Sequence, residues 1–147
     1  MSTANQRLID VLAVVITATL FLASTGCNRA GTKTYPVRGK IEAAGSDTRA
    51  LSGHTVELAL ETNPQIRAAG QIQDDGSFVV ETLHGGLVLP GAAEGKYQAR
   101  IVLSDDDIAG KKLVAKSLHP RYFQFDKSGL AIQVPAAEVV SLKVTRR

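Results

Sequence analysis

The chain has 147 residues, a formal charge of +3, a single cysteine and no tryptophan. So small a charge excludes the dense basic stripe of a nucleic-acid binder, and one thiol excludes an internal disulfide. A domain of about 100–150 residues buries enough surface to fold alone, so neither disulfides nor a structural metal is required.

The first stretch reads as an address. Met1 to Arg7 is short and polar with one cation, and Val11 to Ala23 is apolar with no charge inside it. That is the layout of a secretory signal peptide. The run falls short of the roughly 20 apolar residues that a membrane-crossing helix needs, and Asp10 blocks its extension towards Leu8. Ala23, Ser24, Thr25 and Gly26 are small, as the narrow cleft of a signal peptidase requires. The stretch ending in Gly26-Cys27 resembles the lipobox of bacterial lipoproteins, in which the Cys is acylated and becomes the new N-terminus. Leu22 is its nearest leucine, with Ser24 three residues before the Cys. The resemblance implies cleavage between Gly26 and Cys27 and a lipid on Cys27. Each buried acyl CH₂ contributes about 0.8 kcal/mol, so a diacylglyceryl group holds a protein stably where one chain holds it marginally. Cys27 is thus an expected anchor. Removing Arg7 and Asp10 together leaves the charge at +3.

Asn28 to Thr34 is small and polar and reads as a tether. From Tyr35 the sequence turns to short alternating segments. Tyr35, Val37, Gly39 and Ile41 share one face, as do Val56, Leu58 and Leu60 after the Ser52-Gly53 turn. Ile66 to Ile72 and Phe78 to Val80 flank the turn Asp74-Asp75-Gly76-Ser77 and are expected to form a hairpin. His84 to Gly95 reads as a loop rich in Gly and Ala, with Pro90 excluding a central strand. Tyr97, Ala99, Ile101 and Leu103 alternate with Lys96, Gln98 and Arg100, as in a half-buried strand. Ser104 to Gly110 is polar, Lys111 to Lys116 is ambiguous, and His119-Pro120 marks another turn. The last strands are expected over Leu130 to Val134 and Val139 to Val144, joined across Pro135-Ala136-Ala137. No helix longer than a turn or two is expected anywhere.

About seven short strands between turns predict an all-β, antiparallel Greek-key sandwich of the transthyretin-like or immunoglobulin-like kind, behind a cleaved signal peptide. The order of motifs resembles the bacterial carboxypeptidase regulatory-like domain. It rests on Tyr35-Pro36-Val37-Arg38-Gly39-Lys40-Ile41, Asp75-Gly76-Ser77-Phe78, Gly95-Lys96-Tyr97-Gln98-Ala99, and Pro120-Arg121-Tyr122 followed by Ser128-Gly129-Leu130. The organisation is then a lipoprotein signal peptide over 1–26, a lipidated tether over 27–34 and the sandwich domain over 35–147. The resemblance implies a non-catalytic binding or accessory module.

The residues offer little chemistry. His54, His84 and His119 have no metal-ligand spacing, and no metal or cofactor is expected. Among enzymes with related folds, the hydroxyisourate hydrolases end in Tyr-Arg-Gly-Ser, whereas this chain ends in Lys143-Val144-Thr145-Arg146-Arg147, and no spacing matches the two-Tyr, two-His iron site of intradiol dioxygenases. Asp105-Asp106-Asp107 lacks the alternating ligands of a calcium loop and reads as a solvated loop. Tyr97 reads as a packing residue whose hydroxyl bonds to nearby backbone, in the manner of a tyrosine corner. Tyr122, Phe123 and Phe125 form the densest aromatic cluster, and with Arg121 they are the candidate ligand contacts, either as a stacking platform or as core packing.

The sequence therefore leads to a lipid-anchored, exported module at the bacterial cell envelope, periplasmic or on the outer surface. Its expected partners are the membrane and an envelope protein or polysaccharide. A carbohydrate-binding module and a small transthyretin-fold enzyme are the alternatives.

Overall fold

The computed structural model describes residues 32–44 and 48–147. The expected signal peptide, with Gly26 and Cys27, lies outside the described residues. In chain order the strands are β1 (Thr34–Tyr35), β2 (Arg38–Ala44), β3 (Thr55–Leu60), β4 (Asn63–Gln71), β5 (Ser77–Val79), β6 (Glu81–His84), β7 (Leu87–Pro90), β8 (Ala92–Ala93), β9 (Gly95–Val102), β10 (Leu130–Val134) and β11 (Val140–Thr145). Helix α1 spans Ile108–Ser117 and the single turn α2 spans Phe125–Ser128.

The protein is mostly β, with mainly antiparallel pairing. The larger sheet runs β10-β9-β3-β4-β6-β7, the smaller β11-β2-β5, and β1 pairs with β8 alone. Alternation decides which side chains face inward. On β9, Tyr97, Ala99 and Ile101 are buried, while Gln98 and Arg100 are half-buried on the opposite face. On β2, Gly39 and Ile41 are buried between exposed Arg38, Lys40 and Glu42. The inward residues of both sheets meet in one core, with Leu58, Ile101 and Ile132 from the larger and Ile41, Phe78 and Val144 from the smaller.

Phe78 of β5 lies over Gly39 in its own sheet and reaches Gly70 of the larger one. A Cβ on Gly39 of β2 would lie 2.1 Å from the Phe78 Cζ, and one on Gly70 of β4 would lie 3.5 Å from its Cδ2. The ring fills space that two absent side chains leave. Tyr97 is fully buried, and its hydroxyl donates to the Ala93 carbonyl at 3.1 Å. Ser128 is buried at the end of α2, donating to the Ala99 carbonyl at 2.7 Å and accepting the Leu130 N–H at 3.1 Å. It ties α2 to the sheet.

The structure departs from the expected elements in five places. Tyr35 to Ile41 divides into β1 and β2 at Pro36, which has no N–H to give a ladder. The tight turn at Asp75-Gly76 forms, with the Asp75 carboxylate accepting the Ser77 N–H at 2.9 Å, but the strands beside it separate. β4 pairs with β3 and β6, whereas β5 pairs with β2 in the other sheet. The stretch from His84 to Gly95 contains strands, not only loop. β6 and β7 form a hairpin whose turn residues Gly85 and Gly86 have φ of 59° and 82°, the positive pair that a tight hairpin turn requires. Pro90 closes β7 at the sheet edge, as a residue without a donor must.

The fourth departure is α1, because no helix of that length was expected. Asp107 caps it, its carboxylate accepting the Gly110 N–H at 2.9 Å. Val114 is its one buried residue, so the helix lacks the apolar stripe that announces a helix in sequence. The aspartate run is the exposed loop expected, in which Asp105 pairs with Lys111 and Asp107 is the cap. Finally, the last two strands form where expected, but the sheets are not wholly antiparallel. β10 pairs with β9, and β11 lies parallel to β2 across the core, which makes the smaller sheet mixed.

Candidate functional site

Among the described residues, the outward face of the larger sheet carries the arrangement of polar side chains with the most recognisable binding chemistry. In the β3–β9 register Glu57 stands opposite Arg100, and in the β3–β4 register it stands opposite Ala69, one side-chain repeat from Arg67. Directly opposed and diagonal side chains on one sheet face are within reach of each other. The Glu57 carboxylate therefore receives both guanidiniums. Arg100 donates from Nε at 2.7 Å to Glu57 Oε2, and its Nη2 lies 2.6 Å from the same oxygen. Arg67 donates from Nη1 at 3.1 Å to Oε1, while its Nε donates to the Pro64 carbonyl at 2.6 Å.

Phe125 of α2 completes the cluster. Each guanidinium carbon lies 4.6 Å from the centre of its ring, inside the range of cation–π attraction. Two cations share one carboxylate here, and Asp126 on the same groove carries a second negative charge. Stacking and salt bridges hold both forks in place, so little side-chain freedom is lost when a ligand arrives. Arg67 Nη2 and Arg100 Nη1 have no partner among the described residues.

Arg67, Arg100 and Phe125 line a groove of about 620 Å³. Ala59, Leu60 and Pro64 supply apolar wall, and Gln98, Gln124 and Asp126 supply polar rim. Glu61, also on the rim, is held by Lys96 at 3.1 Å. The volume lies within the usual span of small-ligand sites. Beside it, Leu83 and Val88 on the β6–β7 hairpin are 72% and 63% exposed.

The four contacts expected from sequence do not share this surface. Tyr122 is 1% exposed, so it is no stacking platform. Its hydroxyl accepts the Thr145 N–H at 3.1 Å and an Arg121 N–H at 2.5 Å, fastening the end of β11. Burial raises the pKa of that hydroxyl, but the bonds from Thr145 and Arg121 outweigh it and leave the net value below the usual tyrosine range. Arg121 lies over the Tyr122 ring at 4.7 Å and acts locally. Phe123 packs half-buried against the core. Phe125 alone reaches the groove.

The histidines are dispersed. His54 is 2% exposed, its Nδ1 accepting the Ser104 N–H at 3.3 Å, and burial holds its pKa below the usual 6.5 against the opposing charge of Asp107. His119 accepts the Arg121 N–H at 3.2 Å, and His84 is exposed on the hairpin. Among the described residues no three His, Cys, Asp or Glu side chains are grouped to hold a metal ion.

Sequence reading missed Glu57, Arg67 and the role of Arg100. Alternation does place Arg100 on the solvent face of its strand, but only the pairing of β3 with β9, 43 positions apart in the chain, brings Glu57 to it. No family model, curated protein or solved structure matches the chain.

Proposed function

We propose that this chain is an exported lipoprotein, anchored through Cys27, whose Greek-key β-sandwich works as a non-catalytic interaction module at the cell envelope. The reading also takes the domain as carboxypeptidase regulatory-like. The observation that carries it is the junction between address and fold. An uncharged apolar run ends in Gly26-Cys27, and β1 opens at Thr34, seven residues after that Cys. A tether of this length keeps a domain within about 25 Å of its anchor. The binding half of the proposal is supported by the groove, where two arginines are held in place with donors to spare.

Fractionation of cells expressing the full chain or Cys27→Ala tests the reading. The wild-type protein is expected in the membrane fraction and released only by detergent, with Cys27→Ala shifted to the soluble fraction or retained as uncut precursor. Identical behaviour of the two chains, processed to the same size, would overturn it.

A further inference from the structure

We infer that the groove over Glu57, Arg67, Arg100 and Phe125 binds a carboxylate-bearing sugar, one residue of an acidic polysaccharide. The inference rests on the binding-module reading above and gives it a ligand class. It follows from what the groove offers and what it withholds.

The offer is a pair of guanidinium forks held in place with N–H donors to spare. A planar carboxylate matches a guanidinium fork with paired N–H···O bonds, and Arg67 Nη2 and Arg100 Nη1 are the donors left to make them. Beyond the arginines the rim changes character. Gln98 and Gln124 can both donate and accept, and Asp126 accepts only. That mixture answers several hydroxyl groups at once, since each hydroxyl is itself donor and acceptor. Leu60 and Pro64 give the apolar wall against which the C–H face of a sugar ring packs.

What the groove withholds is free backbone. The strands beneath it that carry Glu57, Gln98 and Arg100 are β3 and β9, and each is hydrogen-bonded on both sides. An extended peptide that gains its affinity by adding to a sheet needs an open edge, which neither strand offers. Recognition here must use side chains, and the side chains present suit hydroxyls and a carboxylate. Phe125 is not the stacking surface for the sugar, because its ring is engaged by the two guanidiniums. Its work is to position them.

The test is calorimetric titration of the detergent-solubilised full chain with oligogalacturonate, with its methyl ester of equal length, and with an oligoglutamate peptide. The free acid is expected to bind and to weaken as salt rises. The ester, with its carboxylates blocked, is expected to bind about tenfold more weakly or not at all, as is the peptide. Arg67→Gln with Arg100→Gln should abolish binding of the acid. Gln98→Ala, which leaves the ion pairs intact, should weaken both acid and ester. No binding of the acid by folded wild-type protein, equal binding of acid and ester, or tighter binding of the peptide would each overturn the inference. Any of these would leave the anchoring of Cys27 untouched, because fractionation reads that separately.

Discussion

Gly39→Ala should unfold this protein more readily than its single added methyl suggests. The new Cβ would sit 2.1 Å from the Phe78 Cζ and 2.7 Å from both Cε atoms. Carbon atoms in contact prefer about 3.5–4.0 Å, so the ring would have to retreat by about 1.5 Å. It has nowhere to go, being 1% exposed and backed by Gly70 on the facing sheet. Overpacking of a filled core costs about 1–3 kcal/mol, and a ring closed on both sides places this case near the upper end. For a domain of this size the melting temperature should fall by about 10–15 °C. Phe78→Leu removes the atoms that clash, so the double variant should be more stable than the two separate losses predict, by about 1 kcal/mol or more. Urea unfolding of the full chain followed by circular dichroism measures all four proteins. A Gly39→Ala variant within about 0.5 kcal/mol of wild type, or simple additivity in the double variant, would refute the wedge.

Two further outcomes are expected from the same assay. Ser128→Ala removes the hydroxyl shared by Ala99 and Leu130 and should cost about 1–3 kcal/mol, with Ser128→Thr recovering part of it and Ser128→Val none. Stability should also depend on His54, whose folded pKa lies below 6.5 because burial disfavours the charged ring. The unfolded chain then takes up the proton first as pH falls. The stabilisation is complete above about pH 6.5 and is lost on acidification towards the depressed folded value. Unfolding at about pH 7.5 and about pH 5.5 should show this slope in wild type and a shallower one in His54→Asn. Equal slopes would place the titration elsewhere.

The parts of the fold legible in the sequence were those dictated by local chemistry. Val56, Leu58 and Leu60 alternate because one face of β3 is buried, and Asp75-Gly76 turns because the carboxylate bonds the next backbone N–H but one. Pairing was not legible. Phe78 to Val80 follows its turn as a hairpin strand would, yet β5 takes its ladder from β2, with Phe78 opposite Gly39, in the smaller sheet. Helix α1 escaped notice because it buries little besides Val114, and the β6–β7 hairpin because Leu83, Leu87 and Val88 are exposed and leave no alternation to read. The site was half visible. Phe125 was singled out as an aromatic, but its neighbours in sequence turn away from it, Tyr122 to the end of β11 and Phe123 to the core. Its true companions, Arg67 and Arg100, come from distant strands through register alone.

The intact mass of the protein extracted from native membranes, measured beside Cys27→Ala, tests the central claim most directly. The account expects a mass equal to Cys27–Arg147 plus acyl groups, absent from the variant. A wild-type mass equal to an unacylated chain, cut elsewhere or not cut at all, would contradict it.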